Sequence, residues 1–290
     1  MKKKSEYFQG LDEFENFLEE IINESISPDR KECYNKLKSN PEILTEIFVS
    51  LKTQEERKKE GQFITPKEIA NFMVNWTMKN KRKDVFLDPG SGTGVFTEVL
   101  LKEGAEKVIA VDKDPLCIKM TKVRAKLIGK SEKLETFNQD FITEFSSNSK
   151  IEGIVCNPPY VRHHEFEKEY KNQLNYFAIE STDLSFDKLS GLHVYFFIKA
   201  TRLLDEKGRM AFITSSEFLD SRYGTPLKKF LHDKFNIESL ILFDEAFEEV
   251  LTTSCISLLS KNGGKQDVKM IDGGKFNENV LKEIEGEELE

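Results

Sequence analysis

The sequence predicts an α/β fold with a doubly wound sheet, preceded by a lobe of helices. From residue 84 onwards, short runs rich in β-branched residues alternate with helical segments, which is the pattern of strands joined by helices. Polar residues and glycines directly follow several of these runs, at the end of the strands where open α/β sheets bind ligands. Before residue 60 the apolar residues recur at three-to-four spacing, which indicates helices instead.

Residues 1–59 are predicted to form a helical packing lobe. Their apolar positions follow helical spacing from Leu11 to Ile22 and again from Ile43 to Leu51. Pro28 and Pro41 separate the helices, because proline suits the first turn of a helix and breaks its interior.

The segment from Gly61 to Pro66 leads into a further helix, predicted from Lys67 to about Lys79. Thr65 is predicted to cap this helix, with Pro66 at the first helical position and Glu68 completing a capping box. Read by itself, the segment predicts a capped helix and nothing more.

A strand, a glycine-rich turn, a helix and a second strand then form a nucleotide-binding pattern. Asp112, at the tip of the second strand, is placed to accept hydrogen bonds from ribose hydroxyls. Asp88, directly before the turn, suits a cationic ligand better than a pyrophosphate. A glycine turn alone could be structural, and the two acids favour a ligand site. The residues of the turn that the pattern singles out are Pro89, Gly90, Gly92 and Gly94.

Two further strands end in candidate ligand-binding residues. Leu134 to Asn138 leads to Asp140 and Phe141, an acid and an aromatic that could hold the edge and the face of a purine. Ile151 to Cys156 is short and β-branched, and it ends abruptly at an Asn-Pro pair. Because strand ends converge in an open sheet, these residues are expected to lie near the glycine turn.

The tetrapeptide Asn157-Pro158-Pro159-Tyr160 is suited to an amine on a flat ring. Neither proline has an N–H, and Pro159 pushes Pro158 towards an extended conformation that exposes its carbonyl. That carbonyl and the Asn157 side-chain oxygen are two acceptors for one NH₂ group, while Tyr160 offers a face for stacking. A strand-ending turn that happens to contain two prolines is the plainer alternative.

The chain after Tyr160 is predicted as a loop of about thirty residues, long enough to be functional. His163 and His164 lie in it, but no third ligand is paired with them, so no metal site is predicted. Residues 261–290 are predicted to be a polar, acidic tail. Between the loop and the tail the predicted elements are a helix from Leu192 to Leu204, a strand from Arg209 to Thr214, a helix from Thr225 to Lys234, and strands from Ile237 to Phe243 and from Ser254 to Ser260.

Composition limits the classes of function. The net charge of −8 has the wrong sign for a chain that grips nucleic acid over a wide surface. Four widely spaced cysteines support neither a zinc site nor a disulfide framework. No apolar run approaches the length of a membrane span, and the start of the chain lacks the apolar core of a signal peptide, so a cytoplasmic protein without membrane contact is expected.

Together these motifs resemble the amino-methyltransferases that use S-adenosylmethionine (SAM). Within that group the resemblance is to the gamma-class N6-adenine DNA methyltransferases of restriction-modification systems, and it covers roughly Arg57 to Leu259. It implies a Rossmann-like, doubly wound sheet, mostly parallel with an antiparallel edge strand, and SAM as the cofactor. Residues 60–260 would be the catalytic domain.

The resemblance also implies a role for each motif. The residues that would bind SAM are Phe63, Thr65, Pro66, Asp88, Pro89, Gly90, Gly92, Gly94, Asp112, Asp140 and Phe141. The catalytic residues would be Asn157, Pro158, Pro159, Tyr160 and Phe247, the last packing against an adenine flipped out of the duplex.

One feature departs from the family pattern. Such enzymes usually continue into a target-recognition domain, whereas this sequence ends about thirty residues after the last motif. The resemblance implies double-stranded DNA as the substrate. Recognition of the DNA sequence would then lie on a separate subunit or on a missing part of the chain. Two alternatives stay open: an enzyme that methylates RNA or a protein glutamine, and a SAM-fold subunit that only scaffolds a complex.

Overall fold

The sheet predicted from the sequence is present in the computed structural model, which describes residues 7–79, 84–161, 166–182, 191–222, 224–244, 253–261 and 267–275. Its described strands are β1 (Val85–Pro89), β2 (Lys107–Asp112), β3 (Leu134–Asn138), β4 (Ile151–Cys156), β5 (Leu204–Ser215), β6 (Asn236–Phe243), β7 (Ser254–Ser260) and β8 (Lys269–Asp272). They form one sheet in the order β3-β2-β1-β4-β5-β7-β6-β8. Strand β7 runs antiparallel to β5 and β6, and the other pairs are parallel.

Helices precede the sheet and cover both of its faces. The described α-helices are α1 (Leu11–Ile22), α2 (Lys31–Ser39), α3 (Ile43–Leu51), α4 (Gln54–Glu60), α5 (Lys67–Met78), α6 (Val95–Lys102), α7 (Pro115–Leu127), α8 (Lys168–Thr182), α9 (Leu192–Leu203), α10 (Glu217–Asp220) and α11 (Gly224–Lys234). None of these described helices has the length and apolar character needed to cross a membrane.

Alternation along the strands divides the core into two layers. Phe86 of β1 belongs to the core layer that includes α5 and α6, whereas its neighbour Leu87 belongs to the layer on the other face, which includes α9 and α11. The helices before residue 61 bury their own apolar face against α7, where Phe17 and Leu18 join Met120 in a third cluster. The doubly wound class predicted from the sequence is thus confirmed.

The predicted loop after Tyr160 is wrong in part, because it contains the fifteen-residue helix α8. Among the described residues of this helix only Leu174 and Ala178 are buried, so its apolar periodicity is too weak to read from the sequence. The segment predicted as a polar tail also contributes structure, since β8 pairs in parallel with β6 at the edge of the sheet.

The predicted cap of α5 is wrong as well. The helix begins at Lys67, as predicted, but Pro66 and not Thr65 occupies the N-cap position, without a side-chain hydrogen bond. Thr65 does not cap the helix because its hydroxyl accepts a hydrogen bond from the Asn157 side chain at 3.1 Å. A contact 92 residues away in sequence has replaced a local one.

A buried ion cluster joins the helical lobe to the sheet domain. Arg124, on α7, is fully buried and pairs with Glu98 of α6, which is 1% exposed. Its remaining donors reach Glu42 and Thr45 of the lobe at 3.0 and 2.7 Å, and the backbone carbonyl of Thr93 at 2.7 Å. Burial alone would raise the pKa of Glu98, but the charge of Arg124 and hydrogen bonds from two lysines hold it at about 2.

Replacement of Arg124 tests how much this cluster contributes to the free energy of unfolding. Arg124→Met should lower the free energy of unfolding by about 3–5 kcal/mol, because it leaves Glu98 buried without its main counter-charge. Lys102→Met is the matched control: Lys102 binds the same carboxylate from a side chain that is 47% exposed, so its loss should cost less than about 1 kcal/mol. Urea denaturation at pH 7 measures both, and equal effects would contradict the prediction.

Candidate active site

A cavity lies at the carboxyl ends of the parallel strands, where β1, β2, β3 and β4 all terminate. It brings together residues from seven separate segments of the chain, from Phe48 of α3 to Phe196 of α9. Nine of the residues predicted from the sequence line it: Phe63, Thr65, Gly90, Gly92, Asp112, Asp140, Phe141, Asn157 and Pro159.

The other predicted residues lie outside the lining of this cavity. Pro158 is buried, and Tyr160 is partly buried against the core beside α5. Phe247 falls outside the described residues, so its role stays a prediction. The predicted cofactor residues that are absent from the lining are Pro66, Asp88, Pro89 and Gly94.

The side chain of Asn157 is fixed by the segment that precedes α5. Its Nδ2 donates to the carbonyl of Phe63 at 3.3 Å and to the Thr65 hydroxyl at 3.1 Å. Its Oδ1 is buried and has no hydrogen-bond partner among the residues that the structure describes. Because a buried acceptor without a partner is rare in a folded protein, this oxygen marks a place for an incoming N–H donor.

Close backbone packing holds the same segment against the tetrapeptide. Gly61 has a φ of +70°, and a Cβ atom there would lie 2.8 Å from the backbone nitrogen of Tyr160. That nitrogen donates to the Gly61 carbonyl at 3.2 Å. The Phe63 ring meets the Tyr160 ring edge-on with centroids 4.9 Å apart, and the Tyr160 hydroxyl donates to the carbonyl of Ile213 at 3.4 Å. The aromatic ring of the tetrapeptide is therefore held at both ends.

The glycine turn and the acid of β2 form the next wall of the cavity. Asp112 accepts from the backbone N–H of Gly92 at 2.8 Å and from that of Asp114 at 2.9 Å, one bond to each carboxylate oxygen. Each oxygen keeps a free lone pair, as an acceptor of ribose hydroxyls requires. Burial raises the pKa of Asp112 to about 6 despite these two bonds.

Aromatic rings form the far wall. The Phe141 ring lies 5.0 Å from that of Phe196, on α9, and both residues line the cavity. Asp140 is held in its own turn, since its Oδ1 accepts from the backbone of Thr143 at 2.8 Å and its Oδ2 accepts from the Tyr170 hydroxyl at 2.8 Å. An acid beside two apolar rings suits the edge and faces of a purine.

Comparison with known proteins identifies the relatives of this chain. The family model of the Eco57I restriction-modification methylase matches residues 95–248, which is more than half of the 290 residues. The chain belongs to this family. The type II methyltransferase M.AccI of Acinetobacter calcoaceticus is 32% identical over 249 residues, a match that covers 84% of this chain and 41% of M.AccI. The chain therefore spans less than half the length of that relative.

Solved structures share the fold of this Eco57I-family chain. A type I restriction-modification system methyltransferase subunit from Streptococcus thermophilus superposes with a TM-score of 0.69 at 14% identity, covering 96% of this chain and 73% of that one. A Listeria monocytogenes protein described as a class I SAM-dependent methyltransferase gives 0.69 at 16% identity, covering 94% and 89%. The sheet thus has the class I SAM-dependent methyltransferase fold.

Two predicted cofactor residues of this Eco57I-family chain, one in the glycine turn and one directly before it, act on the scaffold. Gly94 is the N-cap residue of α6 with a φ of +80°, and a Cβ atom there would lie 2.9 Å from Thr121 of α7, so glycine permits the two helices to pack. Asp88 is fully buried, and its Oδ2 accepts from the Thr97 backbone at 3.0 Å and from the Thr97 hydroxyl at 2.7 Å. Its Oδ1 has no partner within the described ranges.

Sequence reasoning missed several residues that line the cavity. Phe196 lies within the helix predicted from Leu192 to Leu204 and Gln62 within the segment from Gly61 to Pro66, but neither is predicted as a ligand-binding residue, although both line the cavity. The signal for Phe196 is weak, because Phe197 beside it has the same residue type and packs in the core against Phe212.

No group of three or more His, Cys, Asp and Glu side chains in the described ranges is arranged to hold a metal ion.

The burial of Asp88 predicts a pH dependence of stability. Burial raises the pKa of its carboxyl to about 7 in the folded chain, against an ordinary value of 3.8. The folded state therefore keeps a proton that the unfolded state releases, and this term weakens the fold as the pH rises from about 4 to about 7. Asp88→Asn removes the titration. The unfolding free energy of the variant minus that of wild type should therefore increase between pH 4 and pH 7, by at most about 4 kcal/mol.

Urea denaturation of both proteins without ligand, at pH 5 and pH 8, measures this difference. Asp84→Asn is the control, because Asp84 is exposed and lies four residues before Asp88. This substitution should change the pH dependence of stability less than Asp88→Asn does. A difference between Asp88→Asn and wild type that stays constant from pH 5 to pH 8 would contradict the assignment.

Proposed function

We propose that this chain is the catalytic part of a DNA methyltransferase of a restriction-modification system. It transfers the methyl group of SAM to the N6 amine of an adenine flipped out of the duplex, and it works in the cytoplasm, where that DNA lies. Residues 60–260 form the catalytic domain. The observation that carries the proposal is the buried Oδ1 of Asn157, which has no hydrogen-bond partner in the described ranges and lies at the end of β4, in the lining of the cavity.

The Asn157 side chain is oriented for one task. Both protons of its amide are directed at acceptors of the Phe63–Thr65 segment, so only its oxygen can meet a substrate. A carboxamide oxygen accepts a proton of an exocyclic amine without removing it, which suits a weak nucleophile whose lone pair is spread into the ring. Asn157 Oδ1 and the Pro158 carbonyl draw the two hydrogens out of the ring plane and so localise the lone pair on nitrogen.

The reaction needs little else from the protein. SAM, when bound, supplies an electrophilic methyl group on a positively charged sulfur. The amine nitrogen forms the new N–C bond while the electrons of the S–C bond pass to sulfur, and the methylated nitrogen then loses one proton to water. The two acceptors stabilise the positive charge that develops on nitrogen, and alignment of amine and methyl contributes the remaining acceleration.

The residues of the cavity fit SAM. Glycine backbone at Gly90 and Gly92 leaves room for the ligand, and Asp112 offers free lone pairs to the ribose. Phe141 and Phe196 offer apolar faces to the adenine ring. The burial that raises the pKa of Asp112 keeps water away from the same hydrogen bonds.

DNA is favoured as the substrate by the family, since the matching model and M.AccI are both named for restriction-modification or type II methylation. Sequence recognition is proposed to lie outside these 290 residues, as it would for a chain that spans 41% of M.AccI and carries a net charge of −8. The fold neighbour from Streptococcus thermophilus is itself one subunit of a larger system. Methylation of RNA or of a protein glutamine, and a purely scaffolding role, are outcomes that the experiments below separate.

Transfer of a labelled methyl group tests the proposal. The chain is incubated at low salt with labelled SAM and duplexes that carry an unpaired adenine, because a base that is already unstacked reduces the cost of flipping. We expect N6-methyladenine in the digested DNA by liquid chromatography and mass spectrometry. N4-methylcytosine, or label found only in RNA or in protein glutamine, would replace the adenine assignment, and a chain that binds SAM but labels none of them would be a scaffold.

Asn157→Ala separates catalysis from cofactor binding. The single-turnover transfer rate should fall by about 10²–10³-fold, because a preorganised polar group at the reacting atom is lost. Affinity for S-adenosylhomocysteine should change by less than about threefold. Asn35→Ala, at an exposed position of α2, is the control and should leave both quantities unchanged. Parallel loss of transfer and of ligand binding would show that Asn157 acts as a structural residue.

A further inference from the structure

A second unpartnered acceptor lines the cavity, on Gln62. The amide Nε2 of this residue donates to Oδ2 of Asp114 at 2.9 Å and lies 3.6 Å from Sγ of Cys117. Its Oε1 is buried and finds no hydrogen-bond partner in the described part of the chain. The carboxylate can only accept when ionised, so the nitrogen must face Asp114 and the oxygen must face away from it.

The helical lobe keeps Asp114 in the form that fixes Gln62. Lys52, which follows α3, donates to Oδ2 of Asp114 at 3.4 Å and to Glu60 at 2.6 Å, and its side chain is only 8% exposed. Burial alone would raise the pKa of Asp114, but the hydrogen bond from Gln62 and the charge of Lys52 lower it below its ordinary value. The carboxylate is therefore ionised at neutral pH, and the orientation of the Gln62 amide is set.

Asp114 also connects Gln62 to the ribose acid. Its backbone N–H donates to Oδ1 of Asp112 at 2.9 Å, while its side chain holds Gln62. Asp112 and Gln62 are thus two acceptors anchored on one residue, and both line the cavity. A ribose carries two neighbouring hydroxyl donors, and this pair of side chains offers one acceptor each: a free lone pair of Asp112 and the Oε1 of Gln62, which has no partner among the described residues. The pair of acceptors matches the pair of donors.

We propose that Gln62 Oε1 accepts a hydrogen bond from one ribose hydroxyl of SAM, beside Asp112. The inference rests on the proposed use of SAM and adds a second contact at the ribose. It makes Gln62 a cofactor-binding residue that the lobe positions through Lys52 and Asp114. It also explains why a polar side chain is buried at this place while its oxygen has no partner among the residues that the structure describes.

Ligand binding tests the inference without any methyl transfer. Isothermal titration calorimetry would compare S-adenosylhomocysteine with its 2′-deoxy and 3′-deoxy forms, on wild type and on Gln62→Met, which is similar in length and removes the amide. Loss of a single hydrogen bond is worth about five- to tenfold in affinity. We expect Gln62→Met to weaken the binding of S-adenosylhomocysteine by this factor. For the deoxy form that lacks the partner hydroxyl, the two proteins should bind equally.

The controls separate this inference from the function on which it rests. Gln173→Leu, on α8 and in a different groove, should bind all three ligands as wild type does. Gln62→Ala removes the same oxygen and takes the place of Gln62→Met if thermal melting shows that the latter does not fold. An unchanged affinity, or an equal loss for all three ligands, would overturn the role of Gln62. Failure of wild type to bind any of them would instead overturn the use of SAM.

Discussion

The hydrogen bonds of the Asn157 amide to the Phe63 carbonyl and the Thr65 hydroxyl are the contact that fixes the direction of the Asn157 oxygen, on which the proposed reaction depends. They join the end of β4 to a segment that precedes the whole sheet in sequence, and they leave one oxygen for a substrate. Gly61 makes this approach possible, because any larger residue there would collide with the backbone of Tyr160. As a consequence, Thr65 does not cap α5, because its hydroxyl accepts a hydrogen bond from Asn157 instead.

The helical lobe also supports the residues that line the cavity. Its contacts with the sheet domain end at residues that shape the cavity: Arg124 holds the Thr93 carbonyl of the glycine turn, and Lys52 holds Asp114, whose backbone N–H binds Asp112. Both contacts involve buried charges, which are stable only when their partners stay in place. The lobe is therefore a support for the cavity wall as well as an apolar cover for α7.

The sequence predicts local elements well and long-range partners poorly. The bounds of β4 and β7 are those predicted from the sequence, and the strand ends do converge on Asp112 and Asn157. The errors have one physical cause, which is that tertiary contacts override local signals. The Thr65 hydroxyl is taken by a residue 92 positions away, the two buried residues of α8 give no readable period, and Gln62 gains its meaning only from a carboxylate 52 positions away.

Charge explains how an acidic chain can serve a reaction on DNA. Acids at Asp112, Asp140 and Glu60 line a cavity in a chain whose net charge is already −8. Such a field attracts a sulfonium cation and repels a phosphate backbone, so cofactor affinity and grip on DNA make opposite demands on the surface near this cavity. The separate recognition region proposed above would resolve the conflict, because its basic groups would hold phosphates at a distance where salt screens them from the cavity acids. The acidic composition that excludes a wide nucleic-acid interface thus agrees with the proposed division between cofactor binding and DNA recognition.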